Sequence, residues 1–506
     1  MTDNTKDYRL GLSLNNLLVW LGIPPLASDI VLSGIETDSR KICRGDLFLA
    51  LPGLASDGRD YIEAAVKAGA AAILTENSAR ALPNMGVPLF PVDDLCVRAG
   101  ALISHCFKDP SRDVRVVGVT GTNGKSSIVY FLASLLDRLS TGCGTMGTLG
   151  QGRLGQLEDT GNTTADLLTT NQFIARMRDQ KVGWMAMEVS SHGLDQGRVD
   201  GIRIDTAVFS NLTRDHLDYH GSMEAYGKAK GLLFARPELR HAVINSDDPW
   251  AKTICSNMLS SAASGHGVEC LRFSLSDQSA DIYLENCVLH SQGMKADIVT
   301  PWGKGHLETP LLGRFNLSNL LSAIAVLGVH GFPLAAILKE IPALGCVPGR
   351  LERRGGGEQP AVVVDYAHTP DALSSVLQAL REHGSQQTVC VFGCGGDRDR
   401  GKRALMALAA CEGADKVIVT TDNPRSEEPE AIIDDVLAGL DAHQREKVTV
   451  IVDRADAIRR AVHEAAAGDV VLIAGKGHEV YQEIKTVRYP FNDLDEVTRA
   501  LVRREL

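Results

Sequence analysis

The sequence predicts an α/β protein of three domains. These are a central P-loop-type, doubly wound, mainly parallel sheet, a C-terminal Rossmann-like α/β domain and a smaller N-terminal α/β domain. Three observations predict this class. The chain has 506 residues, too many for one hydrophobic core. Short apolar runs rich in β-branched residues alternate with helical stretches through most of it, the pattern of parallel sheets covered by helices. One such run, Val114 to Val119, passes directly into GTNGKSS and then into the helical spacing of IVYFLASLLDRL.

Residues 1–112 read as the first domain. GIETDSRKICRGDLFLALPG places turn residues between short apolar stretches, and YIEAAVKAGAAAIL reads as a helix followed by a strand. Asp38, Ser39 and Arg40 form either an Asx-type turn or the lip of a ligand pocket. Residues 113–345 read as the second domain, opened by strand, glycine loop, lysine, hydroxyl and helix in that order. Such an order builds a phosphate cradle: glycines free the backbone, the helix N-terminus adds positive potential, Lys125 reaches outer phosphates and Ser126 can ligate Mg²⁺. The strict pattern requires glycine at position 119, where this chain has Val119, so the loop is a variant.

Gly183 to Val189, Asp205 to Phe209 and His241 to Asn245 read as further strands of that sheet. Ligands of doubly wound sheets gather at the strand carboxyl ends, and polar residues fall there. Glu188 is followed by Ser190, Ser191 and His192, and Asn211 by Asp215, His216 and Asp218. Glu188 is either an oxygen ligand for Mg²⁺ or a solvated loop carboxylate, and His216 either a ligand or a cap. Residues 346–506 read as the third domain, with a linker edge at Pro348–Arg350 and the Gly355–Gly357 run. Its strands are Ala361 to Val364, Thr388 to Phe392, Lys416 to Thr420, Val448 to Val452 and Val470 to Ile473. Its charge lies in the intervening loops. GCGGD is only half of a dinucleotide fingerprint, a weak signal for hydride transfer.

Bulk properties exclude some classes. A net charge of -11 argues against a nucleic-acid binder. The 11 cysteines form no CxxC pair, and Cys390 and Cys394 read as core packing in a reducing compartment. MTDNTKDYRL has no signal-peptide profile, and no apolar run is long enough to cross a membrane, so a cytoplasmic location is expected.

The motifs GVTGTNGKSS, NTTADLL, MEVSSHGLDQGRV, NLTRDHLDYHG, GRFNLSNLLSAIA, PGRLE, VDYAHTPDAL, GCGGDRDRGKR, TTDNPRSEEP and GKGHE, in this order, resemble the Mur ligases of bacterial peptidoglycan synthesis, most closely the MurE type. TDSRKICRGDLFLALPG and DGRDYIEAA extend the likeness into the first domain. The resemblance implies an ATP-dependent, acyl-phosphate-forming ligase acting on UDP-N-acetylmuramoyl-L-Ala-D-Glu, and a monomer. It assigns the uridine nucleotide to the first domain, ATP and metals to the second, and the incoming amino acid to the third.

Carried over motif by motif, Gly121, Thr122, Asn123, Gly124, Lys125, Ser126 and Ser127 are similar to residues holding ATP phosphates, and Asn316 and Asn319 to those meeting adenine. Arg350 and Asp365 resemble residues closing on phosphate and ribose. Ser126, Glu188 and His216 are implied Mg²⁺ ligands, joined by Lys230 as a CO₂-derived carbamate; without the resemblance Lys230 reads as a surface lysine. The implied catalytic set is therefore Lys125, Glu188, His216 and Lys230. Ser39, Asn162, Thr163, Thr164, Ser190, Gln196 and Arg198 match contacts to the UDP-sugar dipeptide. Arg398, Asp422, Asn423, Pro424, Arg425, Gly475 and Glu479 match contacts to meso-diaminopimelate. A guanidinium at Arg425 suits that substrate's extra carboxylate and repels the ammonium of L-lysine. The alternatives are an L-lysine-adding member, a folylpolyglutamate-synthetase-like ligase, or a nucleotide-binding regulator without catalysis.

Overall fold

A computed structural model describes residues 10–53, 56–77, 85–262, 267–290 and 293–504, so most of the N-terminal MTDNTKDYRL stretch lies outside the described residues. Three parallel-rich sheets succeed one another along the chain. The first holds four parallel strands in chain order: β1 (Ile35–Glu36), β2 (Leu47–Ala50), β3 (Ala72–Glu76) and β4 (Leu89–Val92).

The second sheet has eleven strands. They are β5 (Arg115–Thr120), β6 (Cys143–Gly147), β7 (Gly150–Arg153), β8 (Gln156–Glu158), β9 (Trp184–Glu188), β10 (Ile204–Phe209), β11 (His241–Asn245), β12 (Glu269–Ser274), β13 (Ile282–His290), β14 (Gly293–Thr300) and β15 (Gly303–Thr309). Their spatial order is β8-β7-β6-β9-β5-β10-β11-β12-β13-β14-β15. From β6 to β13 every pairing is parallel; β7, β8, β14 and β15 add antiparallel edges. The sequence reading contained the parallel centre but not these edges.

Parallel strands buried on both faces need continuous apolar runs, and β5, β9 and β10 are buried at nearly every position. Helices α1 (Lys125–Leu139), α2 (Leu167–Asp179), α3 (Met223–Gly231) and α4 (Arg314–Val329) surround the sheet. Leu132, Leu135 and Leu136 of α1 pack with Leu320, Ile324 and Leu327 of α4 over one face, and Phe173 and Ile174 of α2 belong to the core of the other. α4 is buried almost all round, as its lack of an amphipathic pattern requires.

The third sheet comprises β16 (Glu352–Gly355), β17 (Ala361–Asp365), β18 (Thr388–Phe392), β19 (Lys416–Val419), β20 (Val448–Val450) and β21 (Val470–Ala474), ordered β16-β17-β21-β18-β19-β20. Helices α5 (Pro370–Glu382) and α6 (Gly401–Gly413) cover part of it, and a hairpin of β22 (Tyr481–Ile484) and β23 (Val487–Pro490) follows. The Gly355–Gly357 run, expected at a linker edge, is instead the turn of the β16–β17 hairpin. All three glycines have positive φ, +69°, +100° and +71°, which side chains adopt rarely. Cys390 and Cys394 are buried in this domain's core, as expected, and the described cysteines are free. No described helix is long and apolar enough to cross a membrane.

Candidate active site

β5 lies between β9 and β10, the point at which the strand order reverses, and a crevice opens there beyond the carboxyl ends. Register places Glu188 opposite Val119 and Phe209 opposite Thr120, so the ends of all three strands are level. Val119 is a buried strand residue, which explains the departure from the strict motif: the strand runs on to Thr120 before the loop begins. At Gly121 φ is +148°, and a Cβ there would meet the Ser210 hydroxyl at 1.9 Å; at Gly124 φ is +88° and a Cβ would meet Asn319 Oδ1 at 2.5 Å.

The amides of Thr122 and Asn123 donate to the carbonyl and side chain of Asn211. The amides left for an anion include those of the first turn of α1, from Lys125 to Ser127, which have no helical acceptor. Lys125 Nζ donates to the carbonyls of Gly121 (2.9 Å) and Thr122 (2.8 Å). Burial pushes its ammonium below the ordinary value, with Glu188 and Asp215 pulling it back up. Asn316 and Asn319, bonded to each other at 3.3 Å, begin α4 beside the loop.

Glu188 is the last residue of β9 and is 2% exposed, so it is not a solvated loop carboxylate. It accepts from the Thr148 amide (2.8 Å) and hydroxyl (3.3 Å), leaving lone pairs for a hard cation. His216 precedes a short helix, Leu217–His220, with φ +54°, yet its side chain makes no capping bond. Its ring packs against His192 at 4.8 Å and Tyr226 at 6.1 Å, and burial pushes it down to about 4, so it is a neutral imidazole near neutrality.

Lys230 on α3 is 1% exposed, far from the surface lysine that residue chemistry alone suggests. Its Nζ donates to the Gly121 carbonyl at 2.9 Å and sits 4.2 Å from the centre of the Tyr226 ring. Burial, reinforced by Lys125, pushes its ammonium well below the ordinary value. Two lysines thus converge on one loop carbonyl.

The remaining implied contacts fall into three groups. Thr163, Thr164, Ser190, Gln196 and Arg198 form a connected polar surface around Glu188. Thr164 Oγ1 donates to the Glu188 carbonyl and Ser190 Oγ, Arg198 donates to the Thr164 carbonyl and to Gln196 Oε1, and Thr163 meets Thr148. Asn162 is exposed at its margin. Ser39 lies in a turn where Asp38 Oδ1 accepts from the Arg40 amide, the expected Asx geometry. Asp38 also lines a cleft of about 670 Å³ between the first and second sheets, with Thr37, Asp46, Gln151, Asp159 and Gln172. Turn and pocket lip are both present.

In the third domain Asp422, Asn423, Gly475 and Glu479 come together at the ends of β19 and β21. Asn423 Nδ2 donates to Glu479 Oε2 at 2.8 Å, and a Cβ at Gly475 would meet Asp422 Oδ2 at 2.6 Å. Arg425, at φ +51°, donates from Nη1 to the Gly396 carbonyl, and Arg398 is exposed nearby on that loop. The GCGGD glycines give close approach to the DNPR loop rather than to a dinucleotide: a Cβ at Gly396 would meet the Pro424 carbonyl at 1.9 Å.

Arg350 reaches across to the second domain, 3.4 Å from Ser126 Oγ, and stacks on Tyr366 at 4.5 Å; its Nε is buried with no hydrogen-bond partner among the described residues. Asp365 is buried and accepts from the amides of Leu351 (2.8 Å) and Ala367 (2.7 Å), which fixes the Arg350 turn on β17. Asn123 and Asp371 are also bridged, at 3.2 Å.

Sequence reasoning missed two buried cations here. Lys476, fully buried, donates to Asn423 Oδ1 (3.1 Å) and Glu479 Oε2 (2.7 Å). Arg403, 1% exposed, grips Glu427 with two nitrogens, holds Asp435 and donates to Gly395 O, bracing the glycine loop; its bonds push Glu427 down to about 2. The only signal was position, a lysine between glycines at a strand end and an arginine behind a glycine loop.

Three families match the chain: the Mur ligase family, catalytic domain, over residues 31–105, the Mur ligase middle domain over 119–327, and the Mur ligase glutamate ligase domain over 349–477. The UDP-N-acetylmuramoyl-L-alanyl-D-glutamate–2,6-diaminopimelate ligase of Pseudomonas aeruginosa is 48% identical, the match covering 98% of this chain and 99% of that one. Its counterpart in Coxiella burnetii is 47% identical over 94% of this chain and 97% of its own. A solved structure of a ligase of the same name is 39% identical, with a TM-score of 0.71 over 98% of this chain and 100% of that one.

Proposed function

This chain belongs to the Mur ligase family, and on that premise we propose that it joins an amine of meso-2,6-diaminopimelate to the free carboxylate of UDP-N-acetylmuramoyl-L-alanyl-D-glutamate, cleaving ATP to ADP and phosphate. The reaction belongs to cytoplasmic peptidoglycan precursor synthesis, with the chain acting as a monomer. The observation that carries the reading is the meeting of two domains over one loop, where Arg350 of the third domain reaches Ser126 of the second.

A carboxylate is a poor acyl donor until one oxygen becomes part of a leaving group. In the first step a carboxylate oxygen attacks the γ-phosphorus and the bond to the ADP oxygen breaks. In the second, the amine nitrogen attacks the acyl carbon, the bond to the phosphate oxygen breaks, and the nitrogen loses a proton. Residues 113–345 hold ATP: the first-turn amides of α1 and Lys125 hold its phosphates, Asn316 and Asn319 lie at the adenine, and Arg350 and Asp365 close from the third domain. Residues 1–112 and the Thr163–Arg198 surface hold the UDP-sugar dipeptide, with the cleft lined by Asp38 and Asp46 on the nucleotide side. Residues 346–506 present the amine, and closure excludes water from the acyl phosphate.

Ser126, Glu188, His216 and a carbamate on Lys230 fit Mg²⁺: the Glu188 carboxylate has spare lone pairs, His216 is neutral, and a buried Lys230 amine is a nucleophile for CO₂. Mg²⁺ bound there supplies positive charge to the phosphate oxygens. Arg425 sits beside the Asn423–Lys476–Glu479 cluster, which pairs a guanidinium for a carboxylate with a carboxylate for an ammonium at the two ends of diaminopimelate.

The test is phosphate release with the UDP-dipeptide, ATP, Mg²⁺, bicarbonate and either amine. Diaminopimelate supports turnover and L-lysine does so at least ~10³-fold less well. Arg425→Ala raises the KM for diaminopimelate about 100-fold, the cost of a charged two-bond contact, and leaves the KM for ATP unchanged. Equal use of lysine, or an unchanged diaminopimelate KM in the variant, overturns the assignment.

A further inference from the structure

At the opposite edge of the central sheet, five adjacent strands begin with Trp184, Arg115, Ile204, His241 and Glu269 in spatial order β9-β5-β10-β11-β12. β5 alone spans six residues, so this edge lies about 20 Å from the phosphate loop. Three of the groups gathered there carry metal-ligand atoms: Asp205, His241 and His330, the last at the C-terminus of α4. One such atom from each lies within 4.8 Å of the other two. Their side chains are nearly buried, with 11%, 17% and 6% exposure. We propose that Asp205, His241 and His330 form a binding site for a divalent cation of the zinc class, separate from the ATP site.

Two independent features support it. First, Asp205 is the extra residue of a β-bulge: Ile204 pairs with Val116 and Thr206 with Val117, so Asp205 has no partner in the β5 ladder. Bulges of this kind re-aim a side chain, and here Asp205 Oδ1 comes to 3.4 Å from His330 Nε2. Second, Glu269 Oε2 lies 3.1 Å from His241 Nδ1. A carboxylate there holds the proton on Nδ1 and leaves the Nε2 lone pair for a metal, the usual support of a metal-bound imidazole. His330 offers its Nε2 to the same space. That nitrogen now faces the Thr206 hydroxyl at 2.9 Å, a contact a cation would replace while the hydroxyl turns to Asp205, 3.4 Å away.

The donor set selects the cation. Two imidazoles and a carboxylate suit Zn²⁺, Co²⁺ or Ni²⁺, whereas Mg²⁺ prefers oxygen and retains its water. Two guanidinium groups oppose binding. Arg240, exposed, is 3.7 Å from the other Asp205 oxygen, and Arg115 stacks on Trp184, whose ring packs against His330. The carboxylates of Asp205 and Glu269 offset them. A cation here ties the end of α4 to β10 and β11, and α4 begins with Asn316 and Asn319 beside the phosphate loop. The site is structural, and no step of the ligase reaction uses it.

The full-length protein is stripped with chelator, held in excess MgCl₂ and dialysed against ZnCl₂. Wild type and His216→Gln each retain one equivalent of Zn²⁺ at this site and gain thermal stability from it. His241→Gln and the near-isosteric Asp205→Asn lose that equivalent and the gain. Glu269→Gln weakens Zn²⁺ about tenfold. In the same set Co²⁺ gives a ligand-field absorption band in wild type and His216→Gln only. Retention of the full Zn²⁺ equivalent by both His241→Gln and Asp205→Asn, or loss of all bound Zn²⁺ in His216→Gln, overturns the proposal.

Discussion

Lys230 shows how burial changes what a residue type can do. An ammonium repels Mg²⁺ and has no lone pair, so as a charged group it cannot join Glu188 and His216 as a ligand at the proposed metal site. Packed under Tyr226 and facing Lys125 across the Gly121 carbonyl, it is driven toward the neutral amine. A neutral amine can take up CO₂, forming an N–C bond, losing a proton and becoming an anionic oxygen donor. Lys230→Ala therefore lowers kcat by about 10²-fold or more, as loss of one preorganised electrostatic group does. Short carboxylic acids restore part of the rate by filling the vacated space with a carboxylate. Phosphate release measured with and without acetate decides it, and an absence of rescue with a folded variant counts against the carbamate.

The proposed phosphate loop is an element in which backbone geometry carries the function. Gly121 needs φ +148° and has no room for a methyl group, because Ser210 Oγ and the Asn211 backbone close over it. Gly121→Ala displaces the carbonyl that both lysines use, so ATP binding weakens at least ~10²-fold while the sheet beneath, buried on both faces, stays folded. Nucleotide titration together with the far-UV spectrum separates the two effects. This loop and the strand-end residues Glu188 and Asn211 were legible in the sequence because apolar runs mark parallel strands and polar residues at their ends stand out. The antiparallel edge strands β14 and β15 were not. They carry no chemistry, and their buried positions belong to a core shared with residues distant in the chain, among them Leu334 and Ile337. Lys476 and Arg403 were missed for a related reason: cations read as solvated until partners 53 and 24 residues away, Asn423 and Glu427, are folded onto them. His216 stood out by its place after a strand but was left between ligand and cap, and Arg425 was legible only through resemblance, since a positive φ at a side-chain-bearing residue leaves no mark in composition or period.

Across the whole molecule, half-buried neutral histidines contribute to the response to acid. His368 and His478 both pack on Tyr366, and their partial burial pushes each from 6.5 down to about 4. Groups lowered in this way bind protons more readily unfolded, so their contribution is complete above about 6.5 and is lost as pH falls through about 4. Glu427, lowered from 4.5 to about 2 by Arg403, adds a second loss below about 4.5. The melting temperature therefore starts to fall near pH 6.5, above the carboxylate range, and His478→Gln flattens the upper part of that fall.

The meeting of the second and third domains is likewise a property of the whole chain. Apart from the contacts at the site, it is pinned at the back by His383. Its Nδ1 lies 2.7 Å from the His290 carbonyl and so carries the proton, while Nε2 accepts from the Gly313 amide at 3.0 Å. Arg314 and Glu382 add a pair at 3.4 Å that is partly exposed and contributes little. One imidazole thus fixes the end of α5 to the start of α4, the helix that places Asn316 and Asn319 at the loop. His383→Ala removes both bonds and leaves two backbone groups to find water, a cost of about 1–3 kcal/mol confined to the interface. Neither sheet's own core includes this side chain, so the melting temperature changes little. Closure becomes less favourable instead. The KM values for ATP and diaminopimelate rise together by about tenfold, small-angle scattering shows a larger radius of gyration, and saturating ATP with both substrates narrows the difference. A rise in the KM for one substrate alone, with the scattering unchanged, places the hinge elsewhere.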